Sequence, residues 1–120
     1  IYFLKKKGIR TSLFIEPKIR DIKKTKELGA DCVELHTGKF CNLFNLDKDF
    51  SKEFIKIRRS SNFANKIGLE VHAGHGLTYK SAEMIAKIKN IRKLNIGHFI
   101  ISEAIFVGLK QAILKFKKFL

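Results

Sequence analysis

Apolar and polar positions alternate along four short stretches of the chain, and each stretch gives way to apolar residues spaced three and four apart. Alternation with period two reads as a half-buried strand, and the longer period as an amphipathic helix. The first stretch, residues 12–16, leads into a helix from about Lys18 to Leu28, entered through Pro17 and stopped by Gly29. The second, residues 32–36, is followed after a loop by a helix from about Asp47 to Ile67. Its apolar line is Phe50, Phe54, Ile57, Ala64 and Ile67, with Ser61 among them. The third, residues 69–72, passes through Ala73-Gly74-His75-Gly76 to a helix from about Ser81 to Lys89. The fourth, residues 94–98, precedes a last helix with an inner face of Ile105, Leu109, Ala112 and Phe116. Residues 1–8 read as the closing turns of a further helix ended by Gly8, and the absence of a starting Met predicts a piece of a longer chain.

Strands that alternate with helices run parallel and are joined by right-handed crossovers, so the fold class is α/β. No Pro-, Gly- or Ser-rich linker divides the chain, which places residues 1–120 in one domain. Side-chain parity then separates two architectures. Leu13, Ile15, Val33, Leu35, Leu69, Val71, Leu94 and Ile96 share an apolar parity that should face helices. The other parity holds Ser12, Phe14 and Glu16, then Cys32, Glu34 and His36, then Glu70 and His72, then Asn95 and Gly97. A doubly wound sheet covers both faces with helices and needs near-continuous apolar strands. A (β/α)8 TIM barrel admits polar residues into its lumen and places function at the carboxyl ends of its strands. Four βα units in 120 residues are half of the eight that such a barrel builds from about 250.

Composition narrows the class further. With 45% hydrophobic and 30% charged residues evenly mixed, the chain is neither a disordered tail nor a membrane protein, because no run approaches about 18 apolar residues. Cys32 and Cys41 are too few for a disulfide framework and, with no signal peptide before them, predict the reducing cytoplasm. The net charge of +14 is the usual footprint of a polyanion binder. Its lysines, however, fall inside the predicted helices and are not interleaved with aromatics as a base-stacking platform requires. They read as solvated outer faces. A basic nucleic-acid-binding module is the alternative, and it predicts affinity that falls steeply with salt.

All four histidines, His36, His72, His75 and His98, fall at or just beyond the carboxyl end of a predicted strand. In a barrel these positions converge on one mouth, where imidazole shuttles protons near neutral pH and imidazolium holds phosphate. A structural histidine bonded to a backbone carbonyl is the other reading of each. Gly74-His75-Gly76 presents an imidazole at a loop tip between residues that permit unusual backbone angles. Gly97-His98 lies before a helix, where free backbone N–H groups bind phosphate. Glu34 lies two residues before His36 on the same parity, which pairs a carboxylate with an imidazole in the lumen, although a purely structural ion pair fits too. No metal-ligand spacing is matched, so no metal is expected.

Taken in order, residues 12–16, Val33-Glu34-Leu35-His36-Thr37-Gly38, Val71-His72-Ala73-Gly74-His75-Gly76-Leu77-Thr78-Tyr79, residues 94–102 and Ala104-Ile105-Phe106-Val107-Gly108-Leu109 resemble the carboxyl-terminal half of the pyridoxine 5′-phosphate synthase family. The resemblance runs along the whole chain and implies the last four βα units of a phosphate-binding TIM barrel. It implies condensation of 1-deoxy-D-xylulose 5-phosphate with 3-amino-2-oxopropyl phosphate to give pyridoxine 5′-phosphate, phosphate and water. It implies His75 as proton donor and Glu34 as transition-state stabiliser, with Gly76, Gly97 and His98 binding the amino-ketone phosphate. No cofactor is implied, and the implied assembly is a cytoplasmic homo-octamer. The chain departs from the family's usual Val-Asn-Ala-Gly-His-Gly run in carrying His72. It also lacks the amino-terminal half, which in the family supplies a further catalytic His and Glu, so this chain alone should not complete the reaction. Another phosphate-binding TIM-barrel enzyme, an aldolase or isomerase, is the alternative within enzymes.

Overall fold

The apolar parity of the strands accounts for the observed architecture, a four-stranded parallel sheet with helices packed on one face. The computed structural model describes residues 1–119. Its strands are β1 (Ser12–Ile15), β2 (Cys32–His36), β3 (Glu70–Gly74) and β4 (Ile91–Asn95), in the spatial order β1-β2-β3-β4. Its helices are α1 (Tyr2–Lys6), α2 (Ile19–Glu27), α3 (Gly38–Asn45), α4 (Ser51–Lys66), α5 (Tyr79–Ala86), α6 (His98–Val107) and α7 (Leu109–Phe119). Val33, Leu35 and Val71 project from the sheet into a core that also holds Ile22 of α2, Phe40 of α3, Ile57 of α4, and Ala82 and Ile85 of α5. Each of the Val, Leu, Ile and Phe side chains among these, fully withdrawn from water, stabilises the fold by about 1.5–3 kcal/mol. The opposite face carries Phe14, Glu34, His36, Glu70, His72, Lys93 and Asn95, and no helix covers it among the described residues.

The register explains where the strands begin and end. β3 starts at Glu70 and runs to Gly74, later than the predicted 69–72. The Leu69 N–H is already bonded to the Ala64 carbonyl (3.0 Å) and that of Gly68 to Asn65 (3.0 Å), a helix-ending motif that needs the positive φ of Gly68 (75°). Gly29 (φ 79°) closes α2 in the same way, as its position in the sequence predicts. β4 is displaced the other way and occupies 91–95 rather than 94–98. Val71 pairs with Ile91 and His72 with Lys93, so Arg92 is the extra residue of a bulge. The bulge restores parity, which is why Leu94 and Asn95 keep the faces that alternation assigns them.

Three helices differ from expectation. The segment read as a loop after β2 contains α3, whose Phe40 and Cys41 are buried and whose Phe44 packs on the same cluster. The helix expected from Asp47 starts at Ser51, where Asp49 Oδ1 accepts the Ser51 N–H at 2.9 Å. Its predicted inner residues Ile57, Ser61 and Ala64 are buried. The helix expected over 81–89 runs over 79–86, set by a capping box in which the Thr78 N–H donates to Ser81 Oγ at 2.8 Å. The last helix is broken in two at Gly108 (φ 80°). Ala112 and Phe116 of its predicted inner face are buried, but Ile105, on α6 before the break, and Leu109, the first residue of α7, are 78% and 52% exposed.

Candidate active site

β3 delivers His75 to the carboxyl edge of the sheet, one residue beyond Gly74. His75 has φ 83°, a left-handed backbone that costs a residue with a Cβ roughly 1–3 kcal/mol. The surroundings hold it there. Thr37, fully buried, places Oγ1 2.7 Å from both the Gly74 and the His75 carbonyl oxygens, and its N–H donates to Gly74 at 2.9 Å. The Cys41 thiol, kept protonated by burial, donates to the His75 carbonyl at 3.6 Å. Thr37 and Cys41 are thus structural parts of the site to which the sequence assigned no role, although Thr37 stands within the Val33–Gly38 motif.

The His75 side chain is exposed and lies against two rings. Its centroid is 4.6 Å from that of His36, edge to face, and 6.3 Å from that of Phe14. His36 Nδ1 is 2.6 Å from Glu16 Oε1. Both imidazoles rest on Gly38, where a Cβ would stand 2.8 Å from His36 Nε2 and 2.9 Å from His75 Cδ2.

The expected pairing of Glu34 with His36 does not occur. Residues two apart on a strand are separated by about 6.6 Å, so the carboxylate of Glu16 on the neighbouring strand end is the nearer partner for His36. Glu34 is bonded instead to Asn95 Nδ2, which donates to Glu34 Oε2 across the bare backbone of Gly74. A side chain at Gly74 would run into Glu34 Oε1 and come within 2.9 Å of the Asn95 carbonyl oxygen. Glu16 and Asn95 had no assigned role in the sequence, because the contacts that give them one connect strands far apart in the chain.

Beside His75 opens a cleft of about 460 Å³ that joins Gly76, Gly97 and His98 and is also lined by Asn42, Asn45, Thr78 and Asn95. Two helices begin at its wall: α5 after its N-cap Thr78 and α6 after its N-cap Gly97. Their unpaired N–H groups and the positive ends of their dipoles favour an anion between them. Nothing lies within 4 Å of a Cβ built at Gly97, so this glycine leaves open space for a ligand rather than relieving crowding. Four of the five residues singled out from the sequence thus share one cleft, while Glu34 stands behind it and is reached through Asn95.

His72 and His98 are placed differently from expectation. His98 opens α6, three residues beyond β4, because that strand ends at Asn95. His72 is in the middle of β3 rather than at its end, and it is 8% exposed. Its Nε2 lies 2.7 Å from Glu70 Oε1, while Arg10 donates to Glu70 Oε2 at 2.8 Å and Lys93 Nζ is 3.6 Å from Oε1. The His72 hydrogen bond first, and the Arg10 hydrogen bond second, hold the Glu70 carboxyl down at about 2. Cys32, Glu70 and His72 present three donor atoms within 4.8 Å of one another. Arg10, only 3.1 Å from Cys32 Sγ, and Lys93 already balance that charge and disfavour a metal cation there.

Over residues 1–120 the sequence matches the family described as "Pyridoxal phosphate biosynthesis protein PdxJ". The chain belongs to the PdxJ family. Curated relatives named pyridoxine 5′-phosphate synthase include one from Pelagibacter ubique, 53% identical over 118 residues that make up 98% of this chain and 49% of the relative. One from Xanthobacter autotrophicus is 50% identical over 116 residues, 95% of this chain and 45% of the relative. One from Sulfurihydrogenibium is 46% identical over 115 residues, 96% and 46% of the two chains. The chain therefore spans about half the length of the PdxJ relatives it matches. No helix among the described residues is long and apolar enough to cross a membrane.

Proposed function

We propose that this chain supplies four βα units of a (β/α)8 TIM barrel that acts as a pyridoxine 5′-phosphate synthase. The observation that carries the reading is the cleft in which His75, Gly76, Gly97 and His98 meet at the starts of two helices. The substrates are 1-deoxy-D-xylulose 5-phosphate and 3-amino-2-oxopropyl phosphate, and the products pyridoxine 5′-phosphate, phosphate and water. The N–H groups after Thr78 and Gly97, with His98, hold the phosphate of the amino ketone. His75 is the proton donor, at a loop tip where its ring meets both solvent and cleft. Proton transfer from a positioned imidazole accelerates such a step by roughly 10²–10⁴-fold. Glu34, held by Asn95 behind the cleft, balances positive charge that develops on the substrate nitrogen. The reading calls on acid–base groups and phosphate donors, and the resemblance to the family implies no metal or organic cofactor.

The polar face of the sheet supports the barrel. In a closed barrel it becomes a lumen, and the free edges of β1 and β4 pair with further strands. Exposed apolar side chains on α1 and α6, among them Phe3, Ile105 and Phe106, support a homo-oligomer, and the resemblance to the family supports a cytoplasmic octamer.

The test is product formation by the full-length protein with the two named substrates. Turnover is expected, with His75→Ala lowering kcat about 10²-fold. Turnover only with substrates of an aldolase or isomerase would replace the reading with that alternative, and near-normal kcat in the variant would remove the role of His75.

A further inference from the structure

Glu16 and His36 have no part in the chemistry described so far, yet they are the ionisable pair nearest to His75. The Glu16 carboxylate only accepts hydrogen bonds, so the 2.6 Å contact places a proton on His36 Nδ1. Neutral His36 then keeps its lone pair on Nε2. That atom faces Gly38 at the start of α3, at the same spot approached by His75 Cδ2, which is bonded to Nε2 of the His75 ring. The two rings meet edge to face at 4.6 Å, and no direct hydrogen bond joins them among the described residues. One water molecule can bridge such a gap. Phe14 packs edge to face on His36 at 5.1 Å and also touches His75, which fixes the ring of His36 from the other side. His36 ends β2 and Glu16 follows β1, so both lie at the carboxyl end of the sheet, the end that opens to solvent as the mouth of a barrel, and protons can reach the pair there while His75 serves the cleft.

We propose that Glu16 and His36 are positioning residues that reload His75 with the proton it spends, which rests on the reading of His75 as proton donor. In each cycle His75 gives its ring proton to the departing oxygen and becomes neutral. His36, protonated at Nε2 from solvent, passes that proton through a bridging water to His75 and returns to the neutral form. The Glu16 carboxylate keeps the Nδ1 proton throughout and offsets the charge of the transient imidazolium, so one proton enters from solvent for each proton delivered. Gly38 is part of the device, because any side chain there would occupy the space between the two rings.

The experiment uses the full-length protein and two independent readouts. In steady-state kinetics Glu16→Gln, which keeps the hydrogen bond and loses the charge, is expected to lower kcat at least about tenfold with KM changed less than about twofold, and Glu16→Asp to restore it. His36→Ala is expected to lower kcat about 10²-fold, with added imidazole recovering at least about tenfold. Nitrogen-15 NMR of the unliganded protein is expected to place the His36 proton on Nδ1. This last measurement needs no turnover and does not depend on the variants folding. A His36 proton on Nε2, or kcat in Glu16→Gln within about twofold of the parent, overturns the dyad. If the parent protein makes no pyridoxine 5′-phosphate, the functional reading fails separately, and the reloading role falls with it whatever the tautomer.

Discussion

A methyl group at position 38 would stand 2.8 Å from His36 Nε2 and 2.9 Å from His75 Cδ2, both side-chain atoms rather than backbone. Gly38→Ala should therefore fold but displace the two imidazoles. Because a misplacement of about 1 Å costs on the order of 10²-fold in rate, kcat is expected to fall at least tenfold, as steady-state assays of the full-length protein will show. Gly74 is different, since its added methyl meets the Asn95 backbone carbonyl, which cannot retreat, and the Glu34 carboxylate, which can move only by giving up its bond to Asn95. Gly74→Ala is expected to lose about 1–3 kcal/mol of stability, measured by denaturant unfolding. Thr37→Val leaves the Gly74 and His75 carbonyls without their buried hydroxyl and releases the strained backbone of His75. Its expected cost is about 1–3 kcal/mol together with a lower kcat, and Thr37→Ser should recover most of both.

At the scale of elements, β3 joins two functions: its carboxyl end presents His75, and its first half holds the Glu70–His72 pair against Arg10, two residues before β1, and Lys93 of β4. Glu70 is ionised in the folded protein down to about pH 2, whereas an unfolded glutamate titrates near 4.3. Its contribution to stability is therefore complete above about pH 4.3 and is lost as the pH falls through about 2. Thermal melts should show Glu70→Gln less stable than the parent at neutral pH, with the difference closing over that acid window. Most elements were legible in the sequence, because the periods of strand and helix are local. The exceptions have identifiable causes. The bulge at Arg92 made the 94–98 run look like the strand when register places it at 91–95, and α3 is too short and too mixed in composition to stand out from a loop. Gly108 looked compatible with one continuous helix, yet its φ of 80° ends α6.

For the whole molecule, the uncovered polar face and the two free sheet edges are the dominant features. They leave His75 and the adjoining cleft bounded on one side only, with no strand or helix facing the polar side among the described residues. The 120-residue chain by itself is accordingly expected to give no product with the two substrates under conditions in which the full-length protein turns over. Its lysines are consistent with this division of labour. Lys23, Lys24, Lys26, Lys52, Lys66, Lys80, Lys87 and Lys89 are all exposed on helices or their ends, away from the cleft.

What the sequence determined on its own was parity and placement: which strand residues face the helices, and that His75, Gly76, Gly97 and His98 lie at the carboxyl edge. Both follow from repeats of two and 3.6 residues and from glycine and cap positions, which a few neighbouring residues set. Only the tertiary structure decided the partners. His36 is bonded to Glu16 rather than Glu34, Glu34 to Asn95, and the Thr37 hydroxyl lies under His75. Those contacts span 20, 61 and 38 positions of the chain, and they depend on how neighbouring strands are staggered and on the missing side chain of Gly74, a geometry that no local pattern encodes.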